Sequence, residues 1–132
     1  LEITESLLVD DQSEAFDAIR QLRKIGVRLS IDDFGTGYSA LSYLRRFDVN
    51  TLKIDRSFVS GIENSEQDAS LTRTIIAMAK NFGLEIIAEG VEDQAQLDFL
   101  TLHGCDLVQG FYLAQPLPFD ELVEMLQHRR VV

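Results

Sequence analysis

The dipeptide Asp32-Asp33 puts two carboxylates side by side where the apolar alternation of Val27, Leu29 and Ile31 ends, just before Gly35 and Gly37. Adjacent like charges repel, so the pair calls for a cation nearby or for a solvated turn. The other short apolar runs each deliver a polar group as well: Glu2 after Leu1, Lys53 inside "LKID", Glu89 after "IIA" and Gln109 after "LV". Glu2, Asp32, Asp33 and Glu89 offer hard oxygen donors of the kind Mg²⁺ and Mn²⁺ prefer. On a regular strand Asp32 and Asp33 point to opposite sides, which would let them reach two cations, or one cation and its water. Two divalent ions about 3.5–4 Å apart form a recurring clamp for in-line attack at phosphorus. Lys53 is then the one cation among acids, able to orient a water or hold developing negative charge. Its plainer reading is a structural ion pair, and any single polar strand end reads as a turn former or helix cap. Five strand ends converging on one rim are harder to explain that way.

The elements that would position these groups alternate along the chain. "AFDAIRQLRKIG" spaces Phe16, Ile19, Leu22 and Ile25 as a helix and stops at Gly26; "VRLSID" then reads as a strand. "YSALSYLRRF" is a short helix carrying Leu41 and Leu44, and "TLKID" is a brief strand. "ASLTRTIIAMAKNFG" predicts a helix with Leu71, Ile75, Met78, Ala79 and Phe82 on its apolar stripe, closed by Gly83. Strand-like "LEIIAEG" precedes the helix "DQAQLDFLTLHG", where Asp93 and Gln96 are spaced as a capping box. The strand "CDLVQGF" and a last helix, "FDELVEMLQHRR" introduced by Pro118, complete the pattern. Strands alternating with helices of this length make βαβ units and a parallel sheet, whose ligand sites lie at the carboxyl ends of the strands.

Composition narrows the partners. The 132 residues are a single-domain length, and 45% hydrophobic content supports a folded core. A net charge of −10 argues against nucleic acid polymers and anionic membrane surfaces, because no basic stripe exists to hold phosphates. A small phosphate ligand needs local cations to offset that field. Cys105 is the one cysteine, so no disulfide forms within the chain; it reads as a small core residue. No apolar run is long enough for a membrane span. The absence of an initial Met, with Leu1 already inside the pattern "LEIT", suggests a piece of something longer. His103 and His128 are expected to bond helix-terminal carbonyls. Ser39 and Ser42 lack a base, and "DFG" lacks the other parts of a kinase.

The motifs "LEITES", "IDDFGTGYSAL", "LKIDRSFV", "IIAEGVED" and "VQGFYLAQPLP" resemble, in order and in spacing, those of EAL domains, the bacterial cyclic di-GMP phosphodiesterases. The resemblance runs from Leu1 to at least Pro118. It implies an α/β fold, a TIM-type (β/α) barrel of the EAL kind, with residues 1–132 as the C-terminal half of one domain and about four βα units present. It implies hydrolysis of cyclic di-GMP to linear pGpG with Mg²⁺ or Mn²⁺, as two ions. By the same resemblance Glu2, Asp32 and Asp33 are metal ligands, and Lys53, Glu89 and Gln109 are catalytic residues. Glu92 is similar to the residue that anchors the loop bearing Gly35 and Gly37, and Asp55 is a further candidate for the same site.

The E-A-L signature and the asparagine ligand that follows it lie upstream in the family and are absent from this chain. The chain alone is therefore expected to be weakly active or inactive. A half barrel has two open sheet edges, so self-association into a homo-oligomer is expected. An upstream sensor or cyclase domain and a cytoplasmic site of action are also implied. The alternative reading is an EAL-like receptor that binds cyclic di-GMP without cutting it.

Overall fold

Strict alternation along short strands turns one sheet into two unlike faces. The computed structural model describes residues 1–4, 13–35, 44 and 48–128. Its five strands are β1 (Glu2–Thr4), β2 (Ser30–Phe34), β3 (Thr51–Ile54), β4 (Glu85–Glu89) and β5 (Leu107–Gln109). They lie in sequential order, and every neighbouring pair is parallel. Between and after them run α1 (Ser13–Lys24), α2 (Arg56–Gly61), α3 (Glu66–Asn81), α4 (Gln94–His103) and α5 (Phe119–His128). Sequential parallel order is what successive right-handed βαβ crossovers produce, and it is the order of strands in a β/α barrel.

Register aligns Ile3, Ile31, Leu52 and Ile86 across the sheet, with Ile54 and Ala88 paired one step further on. These residues are all at most 6% exposed and pack with Phe16, Ile19, Val59, Ile75, Ile76, Ala79 and Leu100 of the helices. The alternate positions carry Glu2, Ser30, Thr51, Lys53, Glu85, Glu89 and Gln109, with Ile87 and Leu107 among them, a mostly polar face. Leu1 and Leu107 are half exposed at the two open edges.

Several expectations shift in detail. The second strand starts at Ser30, although Leu29 is already fully buried. Ile25 is not a core residue: it sits at the turn where Gly26 takes φ +89°, and it is 77% exposed. On α3 the buried stripe is Ala69, Thr72, Ile75, Ile76 and Ala79. That rotation leaves Leu71 and Phe82 partly exposed. Asp93 caps α4 as expected, accepting from the Gln96 N–H, but the Gln96 side chain accepts from the Glu92 N–H and not from Asp93. His103 Nδ1 lies 2.7 Å from the Phe99 carbonyl, near its helix end. The helix expected over 38–47, with Leu41, Ser39 and Ser42, lies outside the described residues, as does Gly37. From that stretch Leu44 is described and is buried.

Candidate active site

Lys53 stands in the middle strand of the sheet and is 8% exposed. A buried ammonium needs partners, and carboxylates of three other strands supply them. Lys53 Nζ lies 2.6 Å from Glu89, 3.0 Å from Glu2 and 3.4 Å from Asp32. Burial works against the charged form, but the hydrogen bonds to Glu89 and Glu2 and the charges of Glu89 and Asp32 outweigh it. The ammonium is held above the ordinary lysine range and stays protonated at neutral pH.

The chain reaches this arrangement by two departures from a regular strand. Ile31 pairs with Leu52 and Phe34 pairs with Ile54, so Asp32 and Asp33 together stand opposite Lys53 alone. This is a bulge, and Asp33 takes φ +55° to make it. The expectation that the two carboxylates point to opposite sides assumed regular alternation, and the bulge removes that assumption. The Asp33 N–H donates back to the Asp32 carboxylate at 3.0 Å.

The second departure concerns height. Glu2 pairs with Ser30, and Ser30 with Thr51, two residues before Lys53. Lys53 pairs with Ile87, while Glu89 and Gln109 pair with each other two residues later. The polar set therefore climbs across the strands as a diagonal. In a tilted barrel sheet such a diagonal is one level, which is how Glu2 and Glu89 both reach Lys53. Glu2 accordingly opens β1, where a strand-end rim had it closing one.

Beyond Glu89 the chain ends of β4 and β5 stay zipped: the Val91 N–H donates to Gln109 O, and the Tyr112 N–H to Val91 O. Gly110 permits this, since a Cβ there would lie 2.1 Å from Val91 O. Next to it opens a cleft of ≈ 210 Å³ bordered by Glu89, Gln109, Glu92, Arg56 and Phe111. Gln109 thus lies beside Glu89, and Lys53 has its three ion pairs with the acids alone. Glu92 forms an ion pair with Arg56. Asp55 caps α2, accepting from the Ser57 N–H and hydroxyl, and the Ser57 hydroxyl chiefly holds its carboxyl below the usual range. Gly35 takes φ +99° against the Phe58 ring, where a Cβ would come within 2.9 Å. Arg56 is the charged residue of this region that sequence reading did not single out; its place three residues after Lys53 was the available signal.

Three carboxylates around one ammonium leave the site net negative with hard oxygen donors, which fits a divalent cation of the Mg²⁺ or Mn²⁺ type. Among the described residues no three acidic, His or Cys side chains converge as ready ligands, because the Lys53 ammonium holds the point where the acids meet. Also among the described residues, no helix is long and apolar enough to cross a membrane.

Sequential parallel strands with flanking helices are the arrangement found in part of a β/α barrel. The chain belongs to the EAL domain family, whose model matches residues 1–116. It is 47% identical over 130 residues to the cyclic di-GMP phosphodiesterase NbdA of Pseudomonas aeruginosa, covering 98% of this chain and 17% of that protein. The structure of the Pseudomonas aeruginosa MucR phosphodiesterase in complex with c-di-GMP superposes with a TM-score of 0.86 at 45% identity, over 92% of this chain and 49% of that one. A manganese and cyclic di-GMP complex of Klebsiella pneumoniae BlrP1 matches with a TM-score of 0.76 at 33% identity, over 84% of this chain and 28% of that one. The chain thus spans about half of the solved MucR chain and under a fifth of NbdA.

Proposed function

We propose that these residues are the C-terminal half of an EAL domain that hydrolyses one phosphodiester of cyclic di-GMP, giving linear pGpG. The observation that carries the reading is the Lys53 ammonium bound by Glu89, Glu2 and Asp32 in a chain of this family. The substrate named for NbdA and bound by MucR supports the same ligand. Glu2, Asp32 and Asp33 would hold Mg²⁺ or Mn²⁺, as two ions, and the manganese complex of BlrP1 supports a divalent metal. When bound, the metal supplies Lewis-acid stabilisation of charge on the phosphoryl oxygens.

The chain's own residues do the rest. The acids around Lys53 hold it in its charged form, so its Nζ is placed to donate hydrogen bonds. It holds Glu2, Asp32 and Glu89 at one level and offers positive charge to an oxyanion forming beside it. Glu89 accepts a hydrogen bond from the attacking water and sets its direction. The Gln109 amide, on the next strand beside Glu89, donates to a substrate oxygen.

The test is cyclic di-GMP hydrolysis with Mg²⁺ or Mn²⁺ by the full protein carrying this segment, followed as pGpG. Turnover that disappears in Asp32→Ala and Lys53→Ala supports the reading. Nucleotide binding without turnover in the unaltered protein would make it a receptor. The reading also includes a bacterial cytoplasmic site of action and a sensor or cyclase domain in the remaining length, for which the 17% coverage of NbdA leaves room. For the isolated chain the open edges at β1 and β5 support a homo-oligomer. A monomer mass independent of concentration in sedimentation would overturn that part.

A further inference from the structure

We propose that Arg56 is a positioning residue for Glu89, and through it for the Lys53 ion cluster. This rests on the phosphodiesterase reading of the same site.

Three observations meet at Arg56. Its guanidinium pairs with Glu92 across the gap between the end of β3 and the end of β4. Its stem lies directly over Gly90, where a Cβ would fall 2.3 Å from Arg56 Cγ and 2.7 Å from Arg56 Cβ. Gly90 itself takes φ +72°, immediately after Glu89. The turn that leaves Glu89 is thus covered from above by an arginine stem and tied beyond by the ion pair. From the far side the same turn is fixed by the buried Gln96, whose side-chain oxygen accepts from the Glu92 N–H at 2.8 Å.

The pair is exposed, with side chains 62% and 43% accessible, so as an ion pair it adds little to global stability. Its effect is geometric. Glu89 is the partner nearest to Lys53, at 2.6 Å, and the residue just after it is the one Arg56 covers. Loosening that turn lets the carboxylate drift from the ammonium without unfolding the sheet, whose apolar face is buried elsewhere.

The experiment compares Arg56→Ala, Arg56→Lys and Glu92→Gln in the full protein carrying this segment, with Arg20→Ala as a surface control. Two readouts are taken: hydrolysis kinetics, and amide hydrogen exchange over residues 90–92. In Arg56→Ala the expected result is a fall in kcat of about ten- to a hundredfold with KM within about twofold. Arg56→Lys, which keeps the stem, recovers part of that loss, and Arg20→Ala matches the unaltered protein. Exchange at the Glu92 amide should quicken at least about threefold in Arg56→Ala at unchanged melting temperature. A rise in KM at constant kcat would overturn the proposal in favour of a direct substrate contact. Unchanged kinetics would overturn it outright. Should the unaltered protein fail to hydrolyse cyclic di-GMP, the phosphodiesterase reading falls, and exchange decides alone: unchanged protection at Glu92 sinks the positioning role. If Arg56→Ala does not fold, Glu92→Gln carries the same readouts.

Discussion

The two faces of this sheet are made by the same strands and do opposite work. On one face Ile31, Leu52, Ile54, Ile86 and Ala88 are completely buried under the helices. On the other, one step away in every case, stand Asp32, Lys53, Glu85 and Glu89. The apolar face is a broad surface whose stability is shared among many side chains, so each residue is replaceable in kind. The polar face concentrates its effect on a single ammonium that three acids share. Stability is distributed and chemistry is focal, and neighbours in sequence should therefore give opposite readouts when changed.

Leu52 and Lys53 are the sharpest such pair. Lys53→Met is expected to lower turnover in the full protein by at least about a hundredfold, the scale of losing a preorganised charge at the reacting group. It leaves Glu2, Asp32 and Glu89 facing one another with no counter-charge, so their mutual repulsion also loosens the diagonal. Retained turnover in Lys53→Met would break the comparison at its centre. Leu52→Ala, one residue earlier, opens a cavity under the helices and is expected to cost about 2–5 kcal/mol in urea denaturation. The Lys53 cluster should persist in whatever fraction of Leu52→Ala remains folded, so activity per folded molecule stays close to normal. A loss of activity beyond the folded fraction would mean the faces are not separable.

A smaller effect tests whether face or height matters. Glu85 lies on the polar face of β4, four residues before Glu89, and is bound by Arg28 at 3.1 Å and by the Thr51 hydroxyl at 3.2 Å. These contacts sit below the Lys53 level. Glu85→Gln should leave turnover within about twofold, a barrier change near the limit of detection. A large fall in kcat would extend the working site down the sheet and make the whole polar face functional.

The alternation of strands and helices was legible because Val27, Leu29 and Ile31 repeat with period two and because three of the helices close on Gly26, Gly83 and Gly104. The acids and Lys53 were legible by type. Their meeting point was not, because it depends on register: Glu2 precedes Lys53 by two steps across the sheet and Glu89 follows it by two. No single strand carries that information. The bulge at Asp32 and Asp33 was hidden for a related reason, since alternation alone predicts opposite directions and only a φ of +55° at Asp33 changes the count. Leu71 misled through its apolarity: turning α3 to bury Thr72, Ile76 and Ala79 against the sheet leaves it outside. Arg56 reads as an ordinary exposed cation after a strand, and its bearing on Glu89 comes only from the close approach to Gly90.

A last effect separates the faces by pH. Cys105 Sγ, packed against the apolar core, donates to Leu107 O at 3.2 Å and lies 3.6 Å from Ile86 O. Burial pushes its thiol up from 9.0 to about 11, more than the backbone hydrogen bonds from its surroundings pull it down. The folded chain thus holds this proton in a window where the unfolded chain has lost it. Its contribution to stability is complete below pH 9 and declines between 9 and about 11 as the solution draws the proton from the unfolded state. Lys53 is held above its ordinary range by its acids, so its charge persists through the same window. The thermal midpoint of the unaltered chain should therefore fall relative to Cys105→Ala as pH rises from 8 to 11, with the Lys53 cluster still intact. Parallel curves for the two chains would remove the thiol as the source and move the alkaline sensitivity to the polar face.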